Sequence, residues 1–288
     1  PSDWSTFRTA IPRGCGLSPT MHIILPMKGS RKRSISLAAS DGLHGRCSLI
    51  EFRNVGYNEP ALQFSPIVRA AEKTFSYLAE HGSIELTPGK SFRRNFVHWA
   101  ASAFEWPGYT AEDLFKLNKV LNEIDFAPLL YLHEMMLALK IGRHYKGKFN
   151  LTKSGQSLAG RPGKTFGIIA PFFLFHVNHE HFSRKPVQLM GNRDVFLNVL
   201  NVEAERGITA AVLRKTLYGP HDEASGYDGM VGGLYVQILR PLCWAGLLIE
   251  HKPSQTHSLS DRTFHKTPLW RLVLQLETDK QVQPATRH

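Results

Sequence analysis

The sequence predicts a mainly α protein with small β-hairpins, an α+β class. Apolar residues recur at helical spacing over several stretches, the β-type runs between them are short and turned by glycine, and the composition is globular. The 288 residues are 42% hydrophobic, 20% charged and 10% aromatic, enough chain for about two domains with cores of their own. These fractions exclude disordered, collagenous and coiled-coil classes.

Residues 1–62 are expected to be a poorly ordered segment. Gly, Pro and Ser are scattered through it, Arg31, Lys32 and Arg33 form a basic run, and no apolar period lasts a full helix. Within it only Ser48 to Val55 reads as a strand, with no identifiable partner. No charged stretch followed by an unbroken apolar run opens the chain, so no leader peptide is read there.

From Ser65 the texture changes. Ser65-Pro66 sets a capping residue and an N1 proline ahead of Ile67, Val68, Ala71, Phe75 and Leu78, which predicts a helix over 67–80 ending at His81-Gly82. The short β-type run Ile84-Glu85-Leu86 follows, then a helix from Lys90 to Phe104. Two further helical patterns run through Leu114, Leu117 and Leu121, and through Leu129, Leu132, Met136 and Leu139. A hairpin turned at Lys146-Gly147 comes next and ends at Leu151. The phrase Ile84-Glu85-Leu86-Thr87-Pro88-Gly89 returns as Phe149-Asn150-Leu151-Thr152-Lys153-Ser154-Gly155, which reads as an internal repeat.

The order recurs toward the C-terminus. Asp194 to Glu205 reads as a helix, Thr209 caps a second over 210–218, and a third runs over 229–245 with Leu234, Ile238 and Leu242 on one stripe and Pro241 interrupting it. A strand through Leu247-Leu248-Ile249 enters a long loop and returns as Thr263 to Trp270.

At these residues the chain resembles the winged-helix superfamily, in which a third helix runs into a β-hairpin whose second arm often ends in Leu-Thr. Its junctions are Lys140-Ile141-Gly142 and Ala245-Gly246-Leu247-Leu248, and the second arms end at Leu151-Thr152-Lys153-Ser154-Gly155 and Lys266-Thr267-Pro268, the latter without the glycine. The tandem blocks also resemble those of a set of uncharacterised bacterial proteins, some of them plasmid-borne. The resemblance implies tandem winged-helix domains: a partial first plus a second block over 63–165, a connecting helical segment over 166–192, a C-terminal block over 193–276 and a tail over 277–288. It also implies DNA binding, in a transcriptional or plasmid-related regulator.

The formal charge of +11 favours an anionic partner. It is uneven: residues 121–190 hold nine Lys and Arg against four Asp and Glu, and no acid stands between Glu134 and Glu180. Lys140, Arg143, Lys146, Lys148, Lys153, Arg161 and Lys164 fall in that gap, on or just after the predicted second wing, where they would contact a phosphate backbone. The alternative is a solvated hairpin that simply carries lysines. The helix before this wing, Leu129 to Leu139, is apolar almost all round and should be buried rather than read bases. Its C-terminal equivalent offers only Gln237 and Arg240 as long polar residues. A better groove-facing candidate is the start of the 90–104 helix, with Lys90, Arg93, Arg94 and Asn95, or else an ordinary exposed helix end.

Catalytic and metal chemistry finds little support. His176, His179 and His181 flank Glu180, but the spacing matches no metal signature, so no metal is assigned. Gly163-Lys164-Thr165 lacks the P-loop's first glycine, since position 158 is leucine. Cys15, Cys47 and Cys243 are too few and too scattered for a disulfide framework, which points to a reducing, cytoplasmic home. Cys243 reads as an inert core thiol. The expectation is a DNA-binding protein that is not an enzyme, uses no cofactor and has no membrane span. The alternative is a protein-interaction scaffold.

Overall fold

The computed structural model describes residues 22–25, 33–36, 50–182, 187–221, 229–253 and 258–282. It has the mixed α+β class predicted, mostly helical with small antiparallel sheets. Of the segment expected to be poorly ordered, β1 (His22–Leu25) pairs antiparallel with β2 (Arg33–Ser36), and residues 50–62 are joined to the folded body. The rest of that expectation, Arg31 and Lys32 included, lies outside the described residues. The strand expected at 48–55 is β3 (Glu51–Phe52), and its partner lies at the far end of the chain, β10 (Leu274–Gln275).

The first unit begins with α1 (Pro66–His81), which buries Ile67, Val68, Ala71, Phe75 and Leu78 and ends at Gly82 with φ of 75°. β4 (Ile84–Glu85) follows, then α2 (Arg94–Ala103), α3 (Ala111–Leu117) and α4 (Ala127–Ala138). The helix expected from Lys90 begins only at Arg94, because Lys90 takes a left-handed turn at φ 66° and Arg93 holds the extended capping position. Leu121 lies beyond the end of α3, so the Leu114–Leu117–Leu121 period is not one helix. β5 (Gly142–Tyr145) and β6 (Lys148–Leu151) form the hairpin, with Lys146 and Gly147 both at positive φ, as a tight two-residue turn requires. The sheet order is β4-β6-β5, with Ile84 opposite Phe149. The two phrases that look like repeat copies are therefore partner strands of one sheet. Each ends its strand at a threonine, and Thr87 and Thr152 both accept backbone N–H bonds from residues that follow.

A second unit repeats this order with, among the described residues, one helix fewer before the hairpin: α7 (Arg193–Glu203), β7 (Ile208–Thr209), α8 (Ala210–Tyr218), a helix over 229–245, β8 (Leu248–His251) and β9 (Thr263–Lys266), with sheet order β7-β9-β8. Pro241 does not end the 229–245 helix. Proline cannot donate to the carbonyl four residues back, and the turn Tyr235–Leu239 widens to π geometry. The carbonyl of Gln237 instead accepts from Arg193 at 3.5 Å.

The helix-to-hairpin junctions match bond for bond. Lys140 (φ 55°) and Gly246 (φ 86°) both turn left-handed. Ile141 N then donates to Met136 O, and Leu247 N to Leu242 O. Thr152 N donates to Ile141 O at 2.9 Å and Thr267 N to Leu247 O at 3.0 Å, while the two threonine hydroxyls donate to the Lys140 and Gly246 carbonyls.

Between the units lies α6 (Pro162–Phe175), buried along most of its length between α1 and the end of the 229–245 helix. The buried residues form one continuous core. Trp244 of the second unit meets Trp106 (ring centroids 5.2 Å), Tyr131 (5.5 Å), Tyr109 (5.8 Å) and Phe173 (6.1 Å) of the first part of the chain.

Candidate nucleic-acid interface

The β5–β6 register sorts the hairpin's side chains by face. Arg143 lies opposite Asn150 and Tyr145 opposite Lys148, while His144 and Phe149 pair on the other side. Phe149 is fully buried and anchors the inner face. Gly142 lies so close to its ring that an added Cβ would sit 2.0 Å from it. The outer face therefore gathers Arg143, Tyr145 and Lys148, with Lys146 at the turn, all exposed. Tyr145 is 55% exposed, and the Arg143 guanidinium and Lys146 ammonium lie 5.7 and 5.3 Å from its ring centroid. Cations held on a ring are pre-organised at modest cost. Glu85 stands opposite Lys148 on β4, but its carboxylate pairs with Arg93 at 3.2 Å.

Lys140 and Lys153 are exposed at the base of the hairpin, Lys153 opening the short helix α5 (Lys153–Gln156). Arg161 and Lys164 belong instead to the first turn of α6. There Glu72 of α1 accepts from Gly160 N at 2.9 Å and from the Thr165 hydroxyl at 2.8 Å, so a carboxylate from the chain itself already answers this helix start. Among the described residues, no carboxylate pairs with Lys140, Arg143, Lys146, Lys148, Lys153, Arg161 or Lys164. The two arginines of the second candidate are engaged: Arg93 with Glu85, and Arg94 through Nε to Asn122 Oδ1 at 3.0 Å.

The helix before the hairpin, α4, is buried on nearly every side. The two polar residues of the equivalent 229–245 helix turn inward: Gln237 donates to Val187 O at 2.7 Å, and Arg240 lies over the Trp244 ring at 5.2 Å. The histidine run does not assemble either. His179 is buried and bonded to the Phe173 carbonyl at 2.8 Å, with burial holding its pKa well below the usual imidazole value. His176 lies against Phe172 and is lowered by the same cause, and the His181 side chain lies outside the described residues. Within the described residues no group of three or more His, Cys, Asp or Glu is placed to hold a metal.

Two arrangements have almost no mark in the sequence. A chain of polar groups joins Glu123, His133 and His144, residues brought together from a turn, α4 and β5. A cavity between the two units gathers Arg69, Arg240 and Cys243. Of these, only the inward place of His144 is signalled, by its alternation with Arg143 and Tyr145 along a strand.

These features define the class of the protein: two helix–strand–helix–hairpin units of mixed α and β structure on a common core, with no helix among the described residues long and apolar enough to cross a membrane. Residues 63–164 match the family model described as the Y4jL N-terminal domain, and residues 183–268 match the y4jL C-terminal domain. A Sinorhizobium fredii (strain NBRC 101917 / NGR234) protein described as "Uncharacterized protein y4jL" is 39% identical over 158 residues, covering 54% of this chain and 70% of that one. The chain belongs to the y4jL family. No solved structure matches it.

Proposed function

We propose that this protein binds nucleic acid, duplex DNA first, with its two units acting as tandem winged helices and the β5–β6 hairpin as the wing that follows the phosphate backbone. One observation carries the reading. The outer face of the hairpin presents Arg143, Lys146 and Lys148 around an exposed tyrosine, with no carboxylate among the described residues paired to them. The helix–strand–helices–hairpin order, with three α-helices between strand and hairpin in the first unit and, among the described residues, two in the second, and the matching strand orders of both sheets support the winged-helix assignment. Because α4 is buried, the contacts are to phosphates rather than base edges. Lys140 and Lys153 extend the cationic strip, and a regulatory, non-enzymatic role in the cytoplasm follows from this reading.

The test is fluorescence anisotropy on duplex DNA over a salt series, with single-stranded DNA and RNA as parallel arms. Binding should weaken steeply with salt. Lys146→Glu with Lys148→Glu should flatten the log–log slope by about 2, near 0.9 for each phosphate that is no longer neutralised. No binding by the parent at low salt overturns the proposal, and an unchanged slope in the variant shows that the hairpin does not touch the DNA.

A second reading, a protein-interaction scaffold, is favoured by Phe115, Leu117 and Val120, which are 42, 85 and 46% exposed within six residues at and after the end of α3. Apolar side chains clustered on a surface mark partner contacts.

A further inference from the structure

We infer that the cavity between the two units is a binding site for a small aromatic carboxylate. It holds about 320 Å³, the low end of the range for small-molecule sites. One wall comes from the first unit, with Arg69 on α1 and Tyr109. The facing wall comes from the second, with Arg240, Cys243 and Trp244 on the 229–245 helix and Lys252 beyond β8.

The charge of this lining is unbalanced. Arg69, Arg240 and Lys252 face the space, and Glu250 is the acidic residue of the wall. Glu250 is already engaged: one oxygen accepts from Arg262 at 2.7 Å and the other from the Tyr235 hydroxyl at 3.3 Å. Arg240 rests on the Trp244 ring and lies near the Tyr131 hydroxyl, a neutral group. Arg69 donates to the Gln63 carbonyl, and the acid it senses, Glu105, is largely exposed and pairs with Lys73 at 3.6 Å. Desolvation lowers the Arg69 pKa, as expected of a cation withdrawn from water without a close counter-charge. An anion is the group the cavity lacks.

Shape decides which anion. Guanidinium is a planar fork that matches a carboxylate with two parallel bonds. Tyr109, Trp244 and Tyr235 line the space beside the cations, with Arg240 set on the Trp244 ring and Arg262 on the Tyr235 ring, and this aromatic lining favours a planar ring over a flexible aliphatic chain or a bare phosphate. A ligand there would touch both units at once and stabilise the folded body in proportion to its occupancy. The inference does not depend on nucleic-acid binding.

The test uses the full chain with benzoate, 1-naphthoate and indole-3-carboxylate. The uncharged amides of the first two, hexanoate and inorganic phosphate serve as comparisons. Calorimetry and thermal melting should show saturable binding and a rising Tm with the aromatic acids at millimolar concentration, and little with the amides or phosphate. Arg240→Met should weaken binding about tenfold or more, the loss of one charge-assisted pair. Should that variant fail to fold, Lys252→Ala, at the exposed rim, should still weaken it. In a Cys15→Ser, Cys47→Ser background, a bound acid should slow maleimide labelling of Cys243, whose thiol lines the same space. Absence of stabilisation by any aromatic acid, or equal stabilisation by the matching amide, overturns the inference. Binding by phosphate alone overturns the aromatic part of it.

Discussion

His133 Nδ1 lies 2.6 Å from Glu123 Oε1, and the two side chains are only 2 and 1% exposed. A carboxylate can only accept, so Nδ1 carries the proton. The other Glu123 oxygen accepts from Phe92 N at 2.8 Å, and the Phe92 ring stacks on the imidazole with centroids 3.9 Å apart. On the other side of the ring, His133 Nε2 lies 2.9 Å from His144 Nε2, one nitrogen donating to the other. The chain ties the 3-10 turn at Glu123, helix α4 and strand β5 into one buried polar joint, and thereby fixes the base of the hairpin.

Glu123→Ala removes an acceptor from both Phe92 N and His133, leaving two buried donors without partners. A loss of about 3 kcal/mol or more is expected, read as a lower urea midpoint with unchanged slope. Glu123→Gln retains an oxygen and should lose less. If both variants unfold at the parent midpoint, the pair does not support the hairpin.

Lys140 and Gly246 hold the same left-handed position at the two helix-to-hairpin junctions. An L side chain there costs about 1–2 kcal/mol, and glycine avoids it. Lys140→Gly should therefore stabilise the chain by about 0.5–1 kcal/mol while weakening nucleic-acid binding, so that stability and affinity move in opposite directions. Gly246→Ala should cost about 2 kcal/mol or more, because a Cβ there would also come within 2.6 Å of the Phe64 carbonyl. Thermal melts of both variants beside the parent check this.

How far the sequence announces these features follows from the range of the interactions. Local chemistry is legible. Ser65-Pro66, Lys146-Gly147 and Thr209 mark a helix start, a turn and a cap within a residue or two of where they fall. Long-range pairing is not. The similarity of 84–89 to 149–155 reflects two strands with the same local ending, and only the sheet register turns copies into partners. Pro241 reads as an interruption because a proline's missing bond is visible in sequence, whereas the π turn beside it and the bond from Arg193 to the Gln237 carbonyl are not. On the candidate interface, the cationic gap after Glu134 singles out the hairpin. The engagement of Arg93 by Glu85 and of Arg94 by Asn122 depends on tertiary neighbours. The Glu123–His133 pair spans ten residues from a turn into an apolar helix, where a lone histidine carries no pattern.

Glu134, next to His133 on α4, gives the fold a dependence on pH that can be isolated. Burial raises its carboxyl from 4.5 to about 7, with His133 opposing and Glu123 reinforcing the shift. The protonated form is thus favoured by folding. The stability it contributes is full below about pH 4.5 and is lost as pH rises through about 7, up to about 3 kcal/mol for a shift of this size. His144 and His179 are shifted the other way, both mainly by desolvation, and withdraw stability as pH falls below 6.5. The two trends overlap in the parent, so its midpoint alone is uninformative. Glu134→Gln keeps the histidines and deletes the carboxyl. The stability of the variant relative to the parent should grow as pH is raised from about 5 to about 8. Urea midpoints of the two proteins across that range measure the difference, and a gap that does not widen with pH would mean that Glu134 folds with an ordinary carboxylate.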